Sequence, residues 1–201
     1  FVAMQAPDNA RLAAGGPTVL LPPPVLPLPA PTAPGVDLPE SYLLTVFNAY
    51  GAVKGLDDLT AFLARTRLPV VWCHSMRTAD FDVPEALAQH PLLVHVDDPS
   101  PAQLRYLYEG CAAYVSFSRS EGFGWSIADA LRYSPAIVAR EIGVLTFPEA
   151  RAYPVQIVDD LTQIDWGWVA RQHRPDGPRD LAWLSPAAFR ARLVDLVQAT
   201  R

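Results

Sequence analysis

At 201 residues, half of them hydrophobic and 18% charged, the chain can bury one large core, or one domain plus part of another, and wholesale disorder is excluded. Sixteen lysines and arginines against 21 carboxylates leave a formal charge of −5, with no basic stretch of the kind a nucleic-acid surface needs. No apolar run reaches the ~18 residues of a bilayer span and no secretory leader is evident, so the cytoplasm is the expected compartment.

The chain opens on Phe-Val-Ala-Met-Gln, a short apolar strand with no initiator methionine, as if it began inside a longer polypeptide. A short helical piece is expected around APDNARLAAGG. The following PTVLLPPPVLPLPAPTAPGVDLP holds nine of the 21 prolines. Proline removes backbone donors and blocks helix, so this stretch reads as an extended connector, a stiff hinge between domains.

From there the pattern becomes regular. YLLTVFN (42–48) predicts a buried strand, and GLDDLTAFLART (55–66) a helix, with Leu56, Leu59, Phe62 and Leu63 on one face. LPVVWCH (68–74) is a strand, PEALAQ a short helix and LLVHV (92–96) the next strand. SPAQLRYLYEG starts with a capping serine and a proline at the first helical position. AAYVSFS (112–118) is a strand, GFGWSIADALRY a helix, and PAIVAR (135–140) and YPVQIVD (153–159) are shorter strands. LSPAAFRARLVDLVQATR closes the chain as a capped helix with Phe189, Leu193 and Leu196 on one face. Continuously apolar strands alternating with helices imply an α/β fold, a doubly wound parallel sheet of Rossmann-like type, over residues 40–201. Residues 1–39 would then be the end of a preceding domain plus its linker.

In such sheets ligands gather beyond the carboxyl ends of the strands. The loop after the first strand, AYGAVKGL, has neither the G-x-G-x-x-G of dinucleotide binders nor the G-x-x-x-x-G-K-[ST] of nucleotide triphosphatases. It does hold Lys54, either an ordinary solvated lysine or a cation for a diphosphate. The loop SRSEGFG, before the helix at residue 125, is richer. Gly122 and Gly124 let backbone approach a ligand, and free amides at a helix start suit phosphate oxygens. Glu121 suits sugar hydroxyls better than phosphate. Asp129, eight positions on, could accept from a ribose or be a plain surface charge. In the second case its replacement should shift stability by under about 0.5 kcal/mol. Cys73 and Cys111 are expected as buried free thiols, and the four histidines lack metal-ligand spacing, so no metal is expected. His95 could lie beside a base, and Trp166 and Trp168 read as packing or interdomain residues.

The whole stretch SRSEGFGWSIADALRYSPAIVAREIG resembles the donor segment of retaining GT-B glycosyltransferases, the group that includes glycogen and sucrose synthases. LLTVFNAYGAVKGLDDLTAF resembles the strand, Lys-Gly turn and helix that open that family's C-terminal domain. SPAQLRYLYEGCAAYVSFS resembles the helix and strand before its donor loop. By this resemblance the chain is a nucleotide-diphosphate-sugar-dependent transferase that retains anomeric configuration. Glu121 would contact the donor sugar, Lys54 would neutralise the diphosphate, and the amides of Gly122, Phe123, Gly124 and Trp125 would line sugar and diphosphate. Asp129 would hold the ribose, where the family has glutamate. Asn48-Ala49 stands where the family has an arginine. No cofactor or metal is implied. The implied partners are the donor, an acceptor (sugar, lipid or small molecule), a missing N-terminal domain and a peripheral membrane surface, with no nucleic acid. A second reading is a non-catalytic donor-domain module that binds nucleotide or serves as a scaffold. By either reading these residues alone would not turn donor over.

Overall fold

Strands that are apolar along most of their length need cover on both faces, and the computed structural model, which describes residues 2–12, 18–48, 52–75 and 83–199, gives it. Ala49 and the glycine of the AYG turn lie outside the described residues, as does the end of the first helical piece. β1 (Val2–Met4) leads into a 3-10 turn over Pro7–Leu12 and pairs in parallel with β2 (Thr18–Leu20), forming a separate two-stranded sheet.

The main sheet contains β3 (Leu43–Val46), β4 (Val70–His74), β5 (Leu93–Asp97), β6 (Ala113–Val115), β7 (Ile137–Ala139) and β8 (Val155–Ile157). Its order is β5-β4-β3-β6-β7-β8, with every pairing parallel. The order therefore reverses between β3 and β6, the place where such sheets open a ligand crevice.

Period-two alternation divides the core. Leu44, Val71, Tyr114 and Ile137 pack on one face, with Leu43, Trp72, Val115 and Val138 on the other. The first face is covered by α3 (Pro101–Gly110), through Leu107 and Tyr108, and by α4 (Trp125–Tyr133), through Ile127 and Leu131. The second is covered by α1 (Leu56–Leu63), through Leu59 and Phe62, with Leu87 of α2 (Glu85–Ala88) and Val169 of α5 (Trp166–Ala170). Trp72 stacks on Phe47 at 5.1 Å and donates its buried indole N–H to the Phe47 carbonyl at 2.9 Å, which anchors the turn after β3. Ser100 caps α3 in a reciprocal box with Gln103.

Three features depart from the sequence reading. Thr18–Leu20 is a strand within the proline-rich stretch, and Trp166–Ala170 is a helix, capped by Asp165, where packing or interdomain tryptophans but no helix were expected. The closing helix α6 (Pro186–Ala199) buries none of its residues, and Leu193, expected on its inner face, is 40% exposed. The proline stretch is extended, as its sequence predicts, and is hydrogen-bonded along the main sheet's domain as a strap. Val25 N–H donates to the Leu184 carbonyl at 2.8 Å, Leu28 N–H to the Tyr133 hydroxyl at 2.7 Å, and Thr32 N–H to the Ala102 carbonyl at 3.1 Å. Arg132 and Arg105 donate to strap carbonyls at 3.2 and 3.3 Å. Val25 itself is buried in the core on the α4 face.

Candidate functional site

Two loops meet where the strand order reverses. The chain leaves β3 through a 3-10 turn, Ala52–Lys54, and enters α1 at Gly55. Gly55 has φ +75, and a Cβ there would stand 2.1 Å from the Phe117 carbonyl oxygen, so only glycine lets the turn lie against the end of β6. Arg119 N–H donates to the Val53 carbonyl at 2.8 Å and closes the contact.

This docking brings together two residues 67 positions apart. Lys54 Nζ donates to both oxygens of Glu121, at 2.7 and 2.8 Å, with their side chains 27% and 13% exposed. The two residues that the resemblance assigns to diphosphate and donor sugar thus form one ion pair between the two loops. Beside them Asp58 of α1 takes Arg119 at 2.9 Å and Arg140 at 2.9 Å. The Arg119 hydrogen bond, ahead of the opposing cost of burial and the further pull of Arg140, holds the Asp58 carboxyl below its usual range. Arg140 also donates to the Phe117 and Ser118 carbonyls, so this network ties α1, β7 and the loop after β6 into one frame.

Gly124, at φ +84, turns the loop into α4 as its N-cap without a side-chain cap, which leaves the first-turn amides without intrahelical acceptors. The residues expected to line a donor divide by exposure. Gly122 is exposed and Trp125 is 52% exposed, whereas Phe123 is buried, at 2%, and meets the Trp125 ring edge-to-face at 5.1 Å. The Phe123 side chain is therefore a core anchor, and its carbonyl accepts from Val144 N–H at 2.6 Å.

Asp129 is half-buried on α4, which overturns its reading as a surface charge. Burial pushes its carboxyl up to about 7, against a weaker pull down from Arg132. Nearby, the Tyr114 hydroxyl donates to Ser126 Oγ at 2.9 Å, and burial raises it, with the charges of Glu121 and Asp129 adding to the rise. Both carboxylates therefore bear on one tyrosine.

Sequence reasoning missed the contribution of the N-terminal turn. Asp8 Oδ2 accepts from Gly143 N–H at 3.1 Å, and Asn9 Nδ2 donates to the Glu121 carbonyl at 3.2 Å and to Asp8 Oδ1 at 3.2 Å. These residues reach over the loops after β6 and β7. The polar Asp-Asn pair in APDNA was a signal, but nothing local says that it faces residues more than a hundred positions away.

His95 is engaged rather than free, with Nδ1 3.2 Å from His74 Nε2 and Nε2 3.3 Å from the Leu87 carbonyl. Burial, then the His95 charge, lowers the His74 pKa. His74, Asn48 and Ser75 border a cavity of about 220 Å³ at the same sheet edge, where Ser75 N–H donates to Asn48 Oδ1 at 2.7 Å. Cys73 and Cys111 are buried free thiols. Among the described residues no three His, Cys, Asp or Glu side chains cluster as metal ligands, and no helix is long and apolar enough to cross a membrane.

No family model and no curated protein matches the sequence. Solved structures do match. Sucrose-phosphate synthase from Thermosynechococcus elongatus superposes on 99% of this chain with a TM-score of 0.69 at 18% identity. The fold is that of a GT-B glycosyltransferase. AviGT4, a glycosyltransferase involved in avilamycin A biosynthesis, covers 98% of the chain with a TM-score of 0.59 at 14% identity. The chain spans 58% of the first protein's length and 62% of the second's. At these identities the likeness is one of glycosyltransferase fold alone.

Proposed function

We propose that the chain carries the donor side of a glycosyltransferase that uses a nucleotide-diphosphate sugar and retains anomeric configuration. The observation that carries this reading is the Lys54–Glu121 pair across the point where the strand order reverses, beside the first-turn amides of α4. A diphosphate entering the crevice takes Lys54 as its cation and the amides of Gly122, Phe123, Gly124 and Trp125 as donors. Glu121, released from Lys54, then accepts from sugar hydroxyls, and Asp129 accepts from a ribose. Negative charge that develops on the departing diphosphate is met by groups already fixed in place, with no metal required. Acceptor binding belongs to the portion of such enzymes that this chain does not span, so these 201 residues bind donor without transferring it.

The second reading, a nucleotide-binding module without turnover, is favoured by one observation. The Lys54 charge is matched within the fold by Glu121. Ligand-induced stabilisation tests the first reading, since a ligand at about a hundredfold its Kd adds about 2.7 kcal/mol to a native state. Melting of the chain should rise with nucleoside diphosphates and rise further with their sugars. Lys54→Ala should remove both increments, and Glu121→Gln only the sugar increment. Equal shifts from sugar-bearing and bare nucleotides in the native chain would remove the donor-sugar role from Glu121. If transfer appears once an acceptor-binding domain is supplied, the module reading fails.

A further inference from the structure

At the amino-terminal edge of the sheet, opposite the site described above, a cavity of about 610 Å³ opens beneath the starts of β3, β4, β6 and β7. It is larger than the cavity at the carboxyl edge and falls within the ~300–1,000 Å³ of small-molecule sites. A five-residue strand such as β4 sets the two edges roughly 16 Å apart, so one small ligand cannot occupy both.

The lining combines two chemistries. Leu68, Val169 and the Trp166 ring, itself 39% exposed, supply an apolar wall. Arg65, Arg67 and Arg174 supply cations, and no carboxylate lines the cavity among the described residues, although carboxylates outnumber cations in the chain as a whole. The three arginines are not consumed by ion pairs. Arg174 donates to the Gly110 carbonyl at 2.9 Å, Arg65 is felt by Asp160 without a salt bridge, and Arg67 makes no ion pair among the described residues. The Cys111 thiol in the same wall is pushed up to about 12 by burial, so it adds no negative charge.

Three guanidinium groups free of salt bridges among the described residues, around an aromatic and aliphatic wall, select a ligand that carries an oxyanion on a flat apolar ring. We propose that this cavity is a second binding site, for a small aromatic phosphate or carboxylate, independent of the crevice that holds Lys54 and Glu121. The guanidinium forks bind the oxyanion, and the ring lies against Trp166 and Leu68.

Isothermal titration of the 201-residue chain with phenyl phosphate, benzoate and inorganic phosphate tests this. At least one ring-bearing anion should bind, and the tighter of the two identifies the oxyanion. Inorganic phosphate should bind at least tenfold more weakly than that ligand. Arg67 and Arg65 are exposed, so Arg67→Glu should leave the fold intact while weakening the ring anion at least tenfold, with Trp166→Ala weakening it as well. Lys54→Ala should leave this binding unchanged. The proposal is overturned if neither ring anion binds, if inorganic phosphate binds equally well, if Arg67→Glu has no effect, or if Lys54→Ala abolishes binding.

Discussion

Replacing Asp129 by asparagine should stabilise the protein, and increasingly so as pH rises. Burial holds this carboxyl up to about 7 in the folded chain, against an ordinary value of 3.8. The folded state therefore retains a proton that the unfolded state has already released, and stability falls as pH climbs between those two values. Above both values the full gap of about three pH units, at about 1.36 kcal/mol each, costs roughly 4 kcal/mol. Well below the ordinary value of 3.8 the cost vanishes, because both states are protonated. The asparagine amide has no charge to bury, so the variant's advantage should grow by about 2–3 kcal/mol between about pH 5 and pH 8. Urea unfolding of both proteins across that range, monitored by circular dichroism, measures the difference. A stability gap independent of pH would show that Asp129 ionises freely and is not a desolvated, ligand-ready carboxylate. The expected growth with pH also sets Asp129 apart from an exposed helix charge, whose replacement would shift stability by under about 0.5 kcal/mol.

Two further substitutions probe the frame of the site and of the fold. Gly55→Ala should destabilise the chain by several kcal/mol or prevent folding, because the new methyl meets the Phe117 carbonyl at 2.1 Å in a left-handed backbone; an unchanged melting temperature would mean that the β3 turn does not dock on β6. Ser100→Ala removes half of the reciprocal cap of α3 and should cost about 1 kcal/mol, read as a lower urea midpoint with unaltered slope; no change would reduce the cap to a surface contact.

The alternation of strand and helix was legible because β3, β4, β6 and β7 are buried along almost their whole length and β3, β5 and β6 are each followed by a helix with a marked buried face. β2 was hidden by its neighbours, since a three-residue strand beside Pro22 carries too few residues to outweigh the proline signal. α5 was hidden by its brevity and by its glycine between two tryptophans, although Asp165 in front of it is a proper cap. Lys54, Glu121 and Asp129 could be nominated from sequence, but the Lys54–Glu121 pairing could not. It depends on β3 lying next to β6, a matter of strand order that alternation does not determine. The hold of Asp8 on Gly143 is further removed, for it joins a turn of the small sheet to a loop of the large one.

The strap carries a consequence for how this architecture can be inherited. Punctuation by proline marks residue 40 as the place to cut, yet a cut there would strip Tyr133 of the Leu28 N–H and Arg132 of the Val25 carbonyl, and would empty the core position that Val25 fills. Each abandoned buried group costs about 1–3 kcal/mol, a large share of the stability of any domain. The strap is therefore inherited with the sheet, and the turn that brings Ala6 into the core and Asp8 to Gly143 goes with it. A recombination event that joined a new partner domain at residue 40 would deliver a weakened fold.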